Sequence, residues 1–126
     1  MINSQPLSIV IRIENVTAAR LDLETALRCE VDRYEPSGTS SYAQLDIDDV
    51  ADKWSAATQL IRAISERIRK LTSEGTIGHS SMDIALAFPG ASLATSASIP
   101  AGLAEAAGHA GMDIEISVYR TEETVN

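Results

Sequence analysis

The stretch DDVADKWSAATQLIRAISERIRKLTS, residues 48–73, decides how the rest of the chain must be arranged. Val50, Trp54, Ala57, Ile61, Ile64, Ile68 and Leu71 recur at alternating steps of four and three, which puts them on one stripe of a helix, with Ala56, Leu60 and Ala63 widening it. Lys53, Gln59, Arg62, Glu66, Arg69 and Lys70 fall on the other side and face water. Asp48 or Asp49 is placed to cap the first turn, and Gly75 to supply the left-handed residue that ends the helix. Acids at the start and bases near the end both suit the helix dipole. At 1.5 Å per residue such a helix spans roughly 35–40 Å, about the width of a small domain.

Around this helix the alternation is of period two. Leu7, Ile9, Ile11 and Ile13 alternate with Ser8, Val10, Arg12 and Glu14, which predicts a strand with one buried face. A first helix is expected to start at Asn15 or Thr17, with Val16, Ala19, Leu23 and Leu27 on one face. Cys29 to Glu35 reads as a short strand ended by Pro36, Ser37 and Gly38, and Tyr42 to Ile47 as a second, edge-like one. Beyond the long helix, Met82 to Phe88 alternates with small outer residues, as an interior strand does, and Pro89 and Gly90 stop it. Ala91 to Ser98 reads as the most mobile loop, and Pro100 opens a short third helix that ends at Gly108 or Gly111. Met112, Ile114, Ile116 and Val118 define the last strand, and a charged tail is expected to fray from Tyr119 or Arg120 to Asn126.

The resulting order is strand, helix, strand, strand, long helix, strand, helix, strand. It predicts a single α+β domain over residues 1–126, a two-layer sandwich. One mixed or mostly antiparallel sheet of four to five strands would carry the long helix and the shorter ones on one face.

The chain has 126 residues and a formal charge of −8, ten basic residues against eighteen acidic ones. That balance argues against a general nucleic-acid binder, which needs lysine and arginine to neutralise phosphates. It suits a basic protein partner, toward which a negative field steers association. Cys29 is the only cysteine, so no internal disulfide can form. No signal peptide and no apolar run of membrane-spanning length is legible, and the expectation is a cytoplasmic protein without membrane association.

Several motifs resemble a bacterial domain family of unknown function, the one numbered 4279. They are Ala26-Leu27-Arg28-Cys29-Glu30-Val31, the turn Pro36-Ser37-Gly38, and Trp54 early in the long helix. A helix from Pro100 to Gly111 then runs into Asp113-Ile114-Glu115-Ile116-Ser117-Val118-Tyr119, where the likeness is most specific. Cys29 stands where that family often has glycine. The resemblance implies a small α/β domain and brings no catalytic residues with it.

Candidate chemistry is sparse. His79 and His109 lie in no metal-ligand spacing, and Asp46, Asp48 and Asp49 lack the glycine-bearing turn of a calcium loop. Cys29 sits on an apolar phase with no base placed beside it, and no serine-nucleophile or phosphate-loop motif occurs. The expectation is therefore no catalytic residue, no cofactor and no metal. What stands out is acidic. Glu30, Asp32, Glu35 and Asp46 are the candidate partner-binding residues, extended by the helix-start acids Asp48, Asp49 and Asp52. The leading expectation is a non-catalytic immunity-type protein that neutralises a basic toxin domain. The alternative is a small-molecule-binding or enzymatic domain, with a site between the sheet and the Ala91–Ser98 loop.

Overall fold

A computed structural model of the chain describes residues 5–91, 94 and 96–121. Eight elements follow one another: β1 (Ser8–Val16), α1 (Arg20–Leu27), β2 (Arg33–Ser37), β3 (Ser40–Ile47), α2 (Lys53–Ser73), β4 (Ser80–Pro89), α3 (Ala101–Ala110) and β5 (Asp113–Thr121). The strands form one sheet in the order β2-β3-β1-β4-β5. All neighbours are antiparallel except β4 and β5, which are parallel and so need a crossover, supplied by α3. The first six elements make the split βαβ arrangement of ferredoxin-like domains, and α3 and β5 extend it by one unit. This is the α+β architecture read from the sequence, with five strands and the long helix at its centre.

One core holds both layers together. Ile9, Ile11 and Ile13 of β1, Ala43, Leu45 and Ile47 of β3, and Met82 and Ile84 of β4 supply its sheet side. Trp54, Ala57, Ile61, Ile64, Ile68 and Leu71 of α2 meet them, with Leu23 and Leu27 of α1 and Leu103, Ala106, Ala107 and Ala110 of α3 at the flanks. Each fully buried isoleucine contributes about 1.5–3 kcal/mol, and β1 and α2 supply three each, Ile9, Ile11 and Ile13 against Ile61, Ile64 and Ile68.

The long helix starts later than the sequence suggested. Asp49 takes a left-handed turn at φ 51°, Val50 is left 41% exposed, and the helix begins at Lys53. The cap is Asp52, not Asp48 or Asp49. Its carboxylate accepts hydrogen bonds from the Ser55 amide at 3.1 Å and the Ser55 hydroxyl at 2.8 Å. The five residues from Asp48 to Asp52 are spent crossing from the sheet to the helix layer. Ala63 is exposed, and Ser65 is buried at the stripe's margin. The far end is as read. Gly75, at φ 77°, donates to the Thr72 carbonyl at 3.1 Å and Thr76 donates to that of Leu71 at 3.0 Å, which completes a Schellman stop.

Other boundaries also move. β1 continues through a bulge to Val16, so α1 begins at Arg20, after neither Asn15 nor Thr17. β2 starts at Arg33 and contains Pro36 and Ser37, because an edge strand tolerates a proline with no partner on that side. The Gly38-Thr39 turn then leads into β3, which lies between β2 and β1 and is not an edge. β4 is interior, as its small outer residues implied. Tyr119, Arg120 and Thr121 belong to β5 and not to a frayed tail, since they pair with Ala87, Phe88 and Pro89. Ser92, Leu93 and Thr95 of the expected mobile loop, and residues 122–126 of the expected tail, lie outside the described residues.

Two outcomes check this layout. Ile64 is 1% exposed, and Ile64→Asp should unfold the protein, since an unpaired carboxylate there costs several kcal/mol against a total of about 5–15. Arg62→Ala, on the outer face, should cost under about 0.5 kcal/mol in the same urea melts. The second outcome is a pH dependence. The hydrogen bonds from the Ser55 amide and hydroxyl hold Asp52 below the ordinary carboxylate range. Its stabilising effect is thus fully present above the ordinary carboxylate range and is lost as pH falls from there through the lowered folded-state value. Asp52→Ala should melt below the wild type at neutral pH, and the two melting curves should converge in acid.

Candidate interaction surface

The helices occupy only one side of the sheet, and the side chains of the opposite phase form an open face. They are Arg33 and Glu35 of β2, Tyr42, Gln44 and Asp46 of β3, Ser8, Val10 and Arg12 of β1, Ser81, Asp83 and Ala85 of β4, and Asp113, Glu115, Ser117 and Tyr119 of β5, with Ser81 and Ala85 themselves buried. The strands put them there because directly opposed residues of a ladder share a face.

A hydrogen-bonded chain of side chains crosses this face. Gln44 Nε2 donates to Asp46 Oδ1 at 2.6 Å, and the Tyr42 hydroxyl donates to Gln44 Oε1 at 2.7 Å. Arg12 donates from Nη1 to the Tyr42 oxygen at 3.3 Å and from Nη2 to Asp83 Oδ2 at 3.2 Å. The Ser117 hydroxyl closes the chain on Asp83 Oδ1 at 2.8 Å. Four strands are thereby linked through their side chains as well as their ladders. Partial burial pulls the Arg12 guanidinium down, but the Tyr42 hydroxyl and the Asp83 carboxylate more than offset this, and it ends above its usual value.

Charge is distributed unevenly over the face. Asp46, Val10, Asp83 and Glu115 stand in one row across four strands, and Gln44, Arg12, Ser81 and Asp113 in the next. Adjacent strands lie about 4.8 Å apart, so Asp83 and Glu115 are like charges on neighbouring strands, an arrangement that costs stability. Of the ten basic residues, only Arg12 and Arg33 stand on this face. The others lie on or beside the helices, except Arg120, which lies over the Phe88 ring at 5.7 Å. Arg28, Arg67 and Lys70, with Glu74, line a cleft of about 450 Å³ between α1 and α2, well away from the open face.

The acids singled out from the sequence are only partly brought together. Asp32 and Asp46 meet: the Asp46 amide donates to Asp32 Oδ2 at 2.7 Å. Glu35 is paired with Arg33 on β2. Glu30 is exposed in the link between α1 and β2, and Asp48 and Asp49 are exposed in the link before α2. The carboxylates that complete the surface, Asp83, Asp113 and Glu115, come from the other half of the chain. Their alternation in β4 and β5 placed them on the outer phase, but only the strand order shows that they share the face of Asp46, with Val10 of β1 standing between Asp46 and Asp83.

His79 lies 3.4 Å from Asp113 and His109 is 2.7 Å from Glu66, both at exposed positions. Half-burial, with Glu24 and Asp32 nearby, pushes the Cys29 thiol up despite the opposing influence of Arg67, the reverse of what an activated nucleophile requires. Among the described residues no three histidine, cysteine, aspartate or glutamate side chains gather as metal ligands do. A groove of about 490 Å³ does lie where the alternative reading placed a site, lined by Leu86, Phe88, Pro89, Ser96, Ala97 and Val118. Neither histidine lines it. Among the described residues no helix is long and apolar enough to cross a membrane.

No protein-family model, curated protein or solved structure matches the chain.

The role of Arg12 is open to a double-mutant cycle. Arg12→Ala leaves Asp83, whose side chain is 14% exposed, beside Glu115 without its cation. It should cost about 1 kcal/mol, at the low end for a charged hydrogen bond because Arg12 itself is screened by solvent. Adding Asp83→Asn should recover most of that loss in urea melts; additive losses would show that the pair is not coupled.

Proposed function

We propose that this is a non-catalytic protein-binding domain of the immunity type, which neutralises a basic toxin domain by covering it with the open face of the sheet. The observation that carries this reading is the carboxylate row Asp46-Asp83-Glu115, with Asp113 in the next row and Arg12 as the neighbouring cation. Asp83 and Glu115 are like charges on adjacent strands, which lowers the stability of a sheet, and an opposing lysine- or arginine-rich surface would relieve that cost on binding. The hydrogen-bonded chain from Asp46 to Ser117 fixes Asp46 and Asp83 in advance, so little ordering of these two is required at association. The formal charge of −8 would speed encounter with such a partner. A cytoplasmic location and membership of the bacterial family 4279 belong to the same proposal; the latter rests on the motifs quoted above.

One observation favours a second reading. The groove beside Leu86, Phe88 and Val118 is apolar and of a size that admits a small molecule. A small apolar ligand that raises the melting temperature of the wild type but not of Leu86→Glu would support it.

The partner reading is tested with the product of the neighbouring gene, if that product is a basic toxin. The triple variant Asp46→Lys, Asp113→Lys, Glu115→Lys reverses charge at three positions of the open face and leaves the helix cap Asp52 intact. It should bind about 100-fold or more weakly, with a flatter dependence on salt. Unchanged affinity in a folded variant would remove the open face from consideration, and a purely metabolic gene neighbourhood would count against the toxin.

A further inference from the structure

The two edges of the sheet are built differently. β2 has five residues, contains Pro36, and carries the Arg33–Glu35 ion pair, all devices that discourage further pairing. β5 has nine residues, Asp-Ile-Glu-Ile-Ser-Val-Tyr-Arg-Thr, with neither proline nor lysine, and among the described residues its outer edge has no neighbour in the sheet. Its apolar residues are also uncovered. Ile114 is half-buried under α3, but Ile116 is 46% and Val118 59% exposed, although both point to the helix side, and Tyr119 is 55% exposed on the open face. These are three of the six large apolar side chains that the described residues leave exposed. Ile116 and Val118 share the alternation phase of the buried residues of the sheet but lie at the surface.

We infer that β5 pairs antiparallel with β5 of a second copy of this chain, about a two-fold axis at Ile116, to make one continuous ten-stranded sheet. This inference does not depend on the toxin reading.

The side chains choose both the occupant and the register. About Ile116, Ile114 stands opposite the partner's Val118 and Ile116 opposite its own counterpart, so the exposed stripe meets itself in reverse. On the open face Glu115 falls opposite Ser117 and Asp113 opposite Tyr119, so no like charges are opposed. An axis at Glu115 would set two carboxylates against each other, and one at Ser117 would put Ile114 against Arg120. A two-fold operation closes after two copies, as the commonest homodimers do, and leaves β2 as the only kind of free edge. Because both copies keep their helices on the same side, the two open faces join into one surface.

Sedimentation of the wild type over a range of concentrations should show a monomer–dimer equilibrium. Ile116→Lys, at an exposed position that the monomer tolerates, should weaken it about 100-fold or more and leave the circular dichroism of the monomer unchanged. The register is read by trapping in a Cys29→Ser background. Ile116→Cys should form a disulfide-linked dimer on mild oxidation. Val118→Cys alone should not, but should cross-link to Ile114→Cys when the two proteins are mixed. A wild type that stays monomeric throughout, a dimer untouched by Ile116→Lys, or equal cross-linking at Ile116 and Val118 would each overturn the inference.

Discussion

The structure depends on the fit between a period of 3.6 and a period of two. The α2 stripe, with Ile61, Ile64 and Ile68 at its centre, lies against Ile9, Ile11 and Ile13 of β1 and their neighbours in β3 and β4. Both surfaces are formed almost wholly of branched aliphatic side chains, which pack densely on a pleated surface with few rotamers to lose. Once that contact is made, α1 and α3 can add only beside α2, because that is where unburied apolar surface remains. Three helices on one side leave the other side of the sheet to water, and the outer-phase residues of the strands are mostly polar for that reason. The position of the candidate surface is therefore a consequence of the core.

That open face is stabilised in its own way. A half-exposed sheet face cannot rely on hydrophobic burial, and here a chain of side-chain hydrogen bonds from Asp46 through Gln44, Tyr42, Arg12 and Asp83 to Ser117 ties four strands together. Asp83 is satisfied on both oxygens, by Arg12 and by Ser117. This matters because it is the least exposed of the charged pair that it forms with Arg12. The network rigidifies the face without neutralising it. Asp46, Asp113 and Glu115 remain able to accept hydrogen bonds from a cationic surface.

Much of this was legible in the chain, and the failures share a cause. The phases of β1, β3, β4 and β5 were readable from alternation, and the stop of α2 from Gly75, because both are local properties. Phase does not say what covers a residue, however. Ile116 and Val118 carry the right phase but lie beyond the reach of α3, whose ten residues cover only the start of β5. The start of α2 was misplaced because Val50 fits the stripe by spacing, whereas the left-handed turn at Asp49 carries it away from the core. Strand order is the least local property of all. Without it β3 passed for an edge, and the acidic surface was sought in residues 30–52, which are close in sequence, while half of it stands on β4 and β5.

The distribution of charge along the sheet follows the same logic of covered and uncovered groups. The basic residues lie mainly on the helices, where their long stems cover apolar surface and their heads reach water. The outer faces of the strands, with short side chains and fixed spacing, are left to carboxylates, serines and small residues. A chain with eighteen acids and ten bases thus keeps eight of the ten bases off the open face of the sheet. Its helix side carries a basic cleft at Arg28, Arg67 and Lys70, and its sheet side an acidic row. A net negative field of this kind speeds encounter with positively charged surfaces in general, and fixed carboxylates such as those of the row act only at short range.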